Sequence, residues 1–85
     1  MKVIKRDGRT QEFDISKIMV SIERSSDDAG NPMTSSDILN VSEDIKNKIW
    51  KDFKNKVGYN DIRNIVIEEL TNAGFESVSK AYESQ

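Results

Sequence analysis

Val3-Ile4-Lys5-Arg6-Asp7-Gly8-Arg9-Thr10-Gln11-Glu12-Phe13-Asp14-Ile15-Ser16-Lys17-Ile18 is the stretch on which the fold turns. Two short β-capable runs flank Asp7-Gly8. That dipeptide is a strong hairpin signal, because the turn needs positive φ and glycine adopts it without steric cost. The spacing predicts strands over residues 2–6 and 9–13. A two-residue turn puts Ile4 and Phe13 on one face with Lys2 and Gln11. Val3 and Lys5 then share the other face with Thr10 and Glu12. A bulge in the turn would change that register. Charge is the anomaly. Lys5, Arg6 and Arg9 crowd the hairpin tip, and Arg6 would oppose Arg9 across the ladder, where like charges destabilise a sheet. Either these side chains turn to solvent or an anion sits between them.

A lone hairpin is marginal in water and needs helices to pack on. Asp14 is a good N-cap for a helix over residues 15–27, with Ile15, Ile18, Met19 and Ile22 as its apolar stripe. Lys17 falls in the first turn, where the helix dipole disfavours a cation. That placement makes sense if Lys17 has an anion to meet. Asp27 to Pro32 reads as a loop. Ser35 or Ser36 is expected to cap a second helix over residues 36–52, with Ile38, Val41, Ile45 and Ile49 buried and with Trp50 and Phe53 extending the stripe. Lys46, Lys48, Lys51, Lys54 and Lys56 gather at its C-terminal end. They read as a solvated face complementing the dipole, with a second anion patch as the alternative. Residues 54–59 form a connector in which Val57 can be extended. Asn60 is expected to cap a third helix over residues 61–72, carrying Ile62, Ile65, Val66 and Leu70, and Gly74 to stop it. A short fourth helix starts at Ser77, with Val78, Ala81 and Tyr82 facing inwards. The fold class is α+β: an N-terminal hairpin packed on about four helices.

The chain is 85 residues long, with 35% hydrophobic and 33% charged residues. That length allows one thin core, so residues 1–85 are expected to form a single domain. A net charge of −2 argues against bulk nucleic-acid affinity. Any anion site must therefore be local. Cys and His are both absent. This removes the common zinc sites, redox thiols and Ser-His or Cys-His nucleophilic chemistry. The four glycines are scattered, so no Gly-rich phosphate loop exists, and no carboxylate pair is singled out as acid and base. The expectation is a non-enzymatic protein without a metal site. No apolar run approaches the length of a membrane span, and the N-terminus lacks an apolar signal core, so a cytoplasmic location without membrane contact is expected.

On residue physics alone three readings of Lys5, Arg6, Arg9 and Lys17 stay open: a solvated charged turn, an anion or nucleotide site, and a β-ribbon on nucleic acid. Opposite charges about 4 Å apart near a protein surface attract by about 4 kcal/mol, so a polyphosphate could offset the repulsion among these cations. Val3 and Ile4 could offer apolar surface to a base or to the core.

The same residues carry a resemblance. Val3-x-Lys5-Arg6-Asp7-Gly8-Arg9, then Phe13-Asp14 and Lys17-Ile18, are similar to the start of an ATP-cone domain. Asp61-Ile62-Arg63, Ile65-Val66, Leu70, Val78 and Ala81-Tyr82 resemble its later helices. ATP-cones are small regulatory domains that bind ATP or dATP. They occur at the N-terminus of class I and class III (anaerobic) ribonucleotide reductases and in a repressor of reductase genes. The resemblance implies an allosteric, non-catalytic module with ATP or dATP as ligand, accompanied by Mg²⁺. It implies that Val3 and Ile4 on the first strand lie against the nucleotide, and that Lys5, Arg6 and Lys17 meet phosphates. Gln11 and Asp14 would face base or sugar, and Tyr59 and Arg63 would add contacts at the third helix. Implied partners are a reductase catalytic subunit or another protein, with a nucleotide-dependent homo-oligomer; nucleic acid is not expected. The competing readings are a ligand-free interaction module that keeps the fold, or an accessory transcription-regulator module. Tyr59 departs from a position often held by a small hydroxyl residue. The ending Tyr82-Glu83-Ser84-Gln85 departs from the Tyr and Arg residues common there. Without Cys there is no zinc ribbon, so the complete repressor type is not expected.

Overall fold

The computed structural model describes residues 1–85. Its elements are β1 (Lys2–Ile4), β2 (Thr10–Glu12), α1 (Ile15–Asp28), α2 (Ser35–Asp52), β3 (Lys56–Gly58), α3 (Tyr59–Asn72) and α4 (Glu76–Glu83). The sheet order is β2-β1-β3, antiparallel between β1 and β2 and parallel between β1 and β3. The α+β class holds, and the extended Val57 becomes a third strand.

The hairpin register differs from the two-residue reading by one position. Lys2 pairs with Glu12, Val3 with Gln11 and Ile4 with Thr10. Arg6, Asp7 and Gly8 form a three-residue loop, closed by the Lys5 N–H on the Arg9 carbonyl at 2.7 Å and the Gly8 N–H on the Lys5 carbonyl at 3.0 Å. Gly8 has φ +88°, the left-handed residue of a turn followed by a bulge. Val3 now shares a face with Gln11 and Phe13 and is buried beside Val57, while Ile4 on the other face is exposed. Arg6 no longer opposes Arg9; Lys5 does, and the Arg9 charge is met by Asp7. Lys2 instead forms an ion pair with Glu12 at 2.6 Å.

Three helix starts also move. Thr34, not Ser35 or Ser36, caps α2: its hydroxyl accepts the Asp37 N–H, while the Asp37 carboxylate accepts the Thr34 N–H, both at 3.0 Å. This is a capping box, a Thr with an acid three residues on. Gly58, not Asn60, precedes α3, so the helix begins at Tyr59, directly out of β3. There the Asp61 carboxylate accepts the Gly58 N–H at 3.3 Å. Helix α4 begins at Glu76, one residue before Ser77. Asp14 caps α1 as expected, accepting the Ser16 N–H at 3.0 Å and its hydroxyl at 2.6 Å.

The core draws on every helix and on two strands. Ile22, Ile45, Ile49, Val57, Val66, Leu70 and Val78 are fully buried. Each buried side chain of this size contributes roughly 1.5–3 kcal/mol. Trp50 is not part of this core, being 52% exposed. At 100° per residue it lies well off the stripe that carries Ile38, Val41, Ile45 and Ile49. Helix α4 is held by side chains as well as by packing. Arg63 donates to the Glu83 carbonyl, and Thr71 and Ser79 share a hydrogen bond of 2.9 Å beside the Ile67 carbonyl. No helix is long and apolar enough to cross a membrane.

Candidate functional site

Two concavities meet at one side chain, Tyr59. The first is a cleft of about 160 Å³ between the sheet and helices α1, α3 and α4. Val3, Phe13, Ile18, Ile62 and Tyr82 give it apolar walls, and Gln11, Asp14 and Lys17 line its polar side. The second is an open basin of about 310 Å³ under the hairpin tip, formed by Lys5, Arg6, Asp7 and Tyr59. Together they approach the size range of small-molecule sites, apolar at one end and cationic at the other.

Local structure explains how these side chains converge. The middle strand β1 carries Val3 into the cleft, and the loop beyond it carries Lys5 and Arg6. The Asp14 cap sets the start of α1, so Lys17 emerges from its first turn towards the sheet. The parallel β1–β3 pairing, Ile4 opposite Gly58, brings the start of α3 beside the hairpin. Tyr59, the first residue of that helix, then lies under Arg6, whose guanidinium carbon stands 4.7 Å from the ring centroid. A guanidinium stacked in this way keeps its in-plane N–H groups available to an anion.

Charge bookkeeping separates the basic residues. Arg9 is committed to Asp7, with Nε 2.6 Å from the carboxylate. Hydrogen bonds from the Arg9 backbone and side chain, with the Lys5 charge, hold the Asp7 carboxyl below its usual range. Lys5, Arg6 and Lys17 have no carboxylate within ion-pair distance. Asp14, which borders the cleft, is kept low first by the Ser16 hydroxyl and backbone and then by Lys17. The Tyr82 phenol is pushed up by burial and by neighbouring Tyr59, against the pull of Arg63. It therefore faces the cleft as a neutral hydrogen-bonding group at neutral pH.

Of the residues expected at the site, Val3, Gln11, Asp14, Lys17 and Tyr59 line the cleft, and Lys5, Arg6 and Tyr59 line the basin. Ile4 and Arg63 line neither. Ile4 lies on the face of β1 opposite the buried Val3, and Arg63 reaches across to α4. Phe13, Ile18, Ile62 and Tyr82 are walls that the sequence reading assigned to core stripes or to the hairpin. Their positions at the ends of those stripes nearest the hairpin were the available signal.

A protein-family model, the ATP cone domain, matches residues 1–84. The chain belongs to the ATP-cone family. ATP-cones are nucleotide-binding regulatory domains that take ATP or dATP. Similar curated proteins include the transcriptional repressor NrdR of Streptococcus uberis (strain ATCC BAA-854 / 0140J), 33% identical over 86 residues. The NrdR of Streptococcus pyogenes serotype M6 is 34% identical over the same length. Each alignment covers 94% of this chain and 51% of the relative. This ATP-cone thus spans about half the length of the curated relatives it matches.

Proposed function

We propose that this ATP-cone binds ATP or dATP across the cleft and basin, and that it is a regulatory rather than a catalytic module. The observation that carries the reading is that three unpaired cations border the two concavities that meet at Tyr59, Lys17 in the apolar cleft and Lys5 and Arg6 in the basin. The base and sugar occupy the Val3, Phe13, Ile18, Ile62 and Tyr82 end, with Gln11 and Asp14 as polar contacts. The triphosphate lies towards Lys17, Lys5 and Arg6, near the N-terminus of α3, whose free N–H groups favour an anion. The chain has no cluster of three or more carboxylates that would cage a cation. Mg²⁺ then arrives on the triphosphate, which is its usual mode.

Tyr82 connects the ligand to the rest of the domain. It is the α4 side chain in the cleft wall, and α4 is tied to α3 through Arg63 and to α1 through Gln85, whose amide donates to the Ser25 hydroxyl at 2.6 Å. A nucleotide that displaces Tyr82 changes the seat of α4 and hence the surface offered to a partner. Such coupling typically amounts to about 1–3 kcal/mol. The regulated partner is a ribonucleotide reductase subunit or its assembly. The second reading, favoured by the relatives' name, is a module of a transcription regulator. Both use the same ligand site.

Calorimetric titration with ATP and dATP in the presence of Mg²⁺ tests the binding. Saturation at about 100 times the dissociation constant should add roughly 2.7 kcal/mol to the unfolding free energy, with inorganic phosphate giving much less. No heat and no change in the melting curve at millimolar nucleotide would overturn the reading.

A further inference from the structure

Asp7-Gly8 is the one place in the chain where a side-chain carboxyl or amide precedes glycine. Glycine has no Cβ to shield its nitrogen or to restrict its backbone. At Gly8 nothing lies within 4 Å of the place a Cβ would take, and φ is +88°. The Asp7 side chain is 51% exposed, so water has access to the loop. These are the conditions for an isomerisation through the backbone. The Gly8 nitrogen attacks the Asp7 side-chain carboxyl carbon, and a C–N bond forms. The amide proton and the carboxyl hydroxyl leave as water, and a cyclic succinimide results. Water then adds to the main-chain carbonyl of residue 7, and the bond from that carbon to the Gly8 nitrogen breaks. The chain now runs through the side chain of residue 7, which has become an isoaspartate. The water lost in the first step is regained in the second, and nothing is oxidised or reduced.

The fold engages both reacting groups. The Asp7 carboxylate accepts the Arg9 backbone N–H at 3.0 Å and the Arg9 Nε–H at 2.6 Å. The first of these bonds above all, with the second and the Lys5 charge, favours the ionised form. An ionised carboxylate is a poor electrophile, because its oxygen cannot leave as water. On the other side of the reaction, the Gly8 N–H donates to the Lys5 carbonyl at 3.0 Å. Arg9 itself lines neither concavity and pairs with no carboxylate other than Asp7. Its guanidinium is thus spent on a neighbour two residues away, at the one dipeptide where such restraint has a chemical use.

We propose that Asp7-Gly8 is a site of spontaneous isoaspartate formation, and that Arg9 is the residue that holds the reaction in check by keeping the Asp7 carboxylate hydrogen-bonded. Water is the only co-reactant. The product carries an extra CH₂ in the main chain of a loop that the Lys5 N–H closes on the Arg9 carbonyl at 2.7 Å. That closure shifts, and with it the wall of the basin that Arg6 and Asp7 form. The chemistry involves no nucleotide, so it stands or falls apart from the ligand reading.

The test is to age the full chain for weeks at neutral pH and to count isoaspartate at position 7. Peptide mass spectrometry with electron-transfer fragmentation locates it, and methyl uptake from S-adenosylmethionine with an L-isoaspartyl methyltransferase quantifies it. The chain unfolded in urea should form isoaspartate at this site at least about tenfold faster than the folded chain, because the hydrogen bonds to the carboxylate are gone. Folded Arg9→Ala should gain about fivefold or more over the natural chain by losing the Nε–H bond and the charge. Arg9→Lys keeps a charge without the guanidinium fork and should fall between the two. Asp28-Ala29, followed in the same samples, reports general loosening of the fold. A gain at Asp7 in Arg9→Ala with none at Asp28 is the expected result. The proposal is overturned by equal rates at Asp7 in the natural chain and in both Arg9 variants, by a gain at Asp7 matched at Asp28, or by a folded chain that isomerises as fast as the unfolded one.

Discussion

Two regions of this ATP-cone have similar compositions and different fates. The hairpin end has Lys5, Arg6, Arg9 and Lys17 around an exposed tyrosine. The far end of α2 has Lys46, Lys48, Lys51, Lys54 and Lys56 around an exposed tryptophan. At the hairpin, a cation stacks on the ring and three cations stay unpaired beside a concavity. At the α2 end no cation stacks on Trp50, Lys46 and Lys48 meet Glu43 and Glu68, and none of the five lysines lines a cleft. A cluster of lysines is therefore not a site by itself. Lys51, Lys54 and Lys56 lack a counter-charge too, so what distinguishes the first region is the concavity beside its cations.

The sharpest way to break that comparison is to remove charge from each end in turn. Replacing Lys5, Arg6 and Lys17 together with alanine should weaken ATP binding by more than about 100-fold, since each charge-assisted contact is typically worth tenfold or more. Lys51→Ala with Lys54→Ala should leave the same titration unchanged. Equal losses at the two ends would mean that binding follows overall charge. The next effect in size concerns the ring. Tyr59→Ala should cost about tenfold in nucleotide affinity by removing the surface that seats Arg6, whereas Tyr59→Phe keeps a face for the guanidinium and should bind nearly as well. If the two variants fall together, the hydroxyl and not the stacking is what matters.

Stability against pH should separate the ends with a smaller effect. Asp7, Glu12 and Asp14 all lie at the hairpin end and are depressed below their ordinary values by hydrogen bonds and nearby cations. Their contribution is present above the unfolded values of 3.8 for Asp and 4.5 for Glu and is lost as pH falls through the folded ones. Lys48 is raised above 10.5, first by its hydrogen bond to Glu68, so its contribution is present below that value and is lost as pH rises further. Hydrogen exchange should accordingly show acid loosening β1 and β2 first, and alkali loosening the α2–α3 contact. The smallest effect is expected from Lys48→Ala, because exposed ion pairs contribute little. A fall in melting temperature of more than a few degrees would show that the α2–α3 bridge matters more than its exposure implies.

Ser42 offers a comparison inside the core. Its hydroxyl is buried without a hydrogen-bond partner, whereas Ser25 and Ser26 bond to backbone carbonyls one turn back. Ser42→Ala should be neutral or stabilise by about 1 kcal/mol, and Ser25→Ala should destabilise, in parallel thermal melts.

Much of this was legible in the sequence, and the misses have physical causes. The order of the elements, the Asp14 cap and the helical stripes follow from local chemistry. Lys5, Arg6 and Lys17 stand without an ion-pair partner, the uncompensated charge that the sequence suggests. The hairpin register was not legible, because Asp-Gly serves both a two-residue turn and a three-residue loop with a bulge. Trp50 was expected to extend the buried stripe of α2 and is exposed. Its angle around α2 was the better guide. Ile4 and Arg63 were expected at the ligand and line neither concavity, since one sits on the exposed face of β1 and the other contacts α4. Tyr82 was expected to face inwards and does so from the cleft wall, a role that depends on where α4 docks.

The parallel pairing of β1 with β3 has a consequence in time. The hairpin can form as soon as its few residues exist, but β1 then has one bare edge. Its second neighbour lies more than fifty residues further along the chain, beyond two helices. Contacts of such separation close late, because loop entropy must be overcome before they give any return. Lys5 and Arg6 are thus in place early, while Tyr59 reaches them only when the tertiary structure is nearly complete. In refolding experiments, stacking of Arg6 on Tyr59 should be among the last signals to appear. A nucleotide that requires both halves would then engage finished domains and pass over partly folded ones.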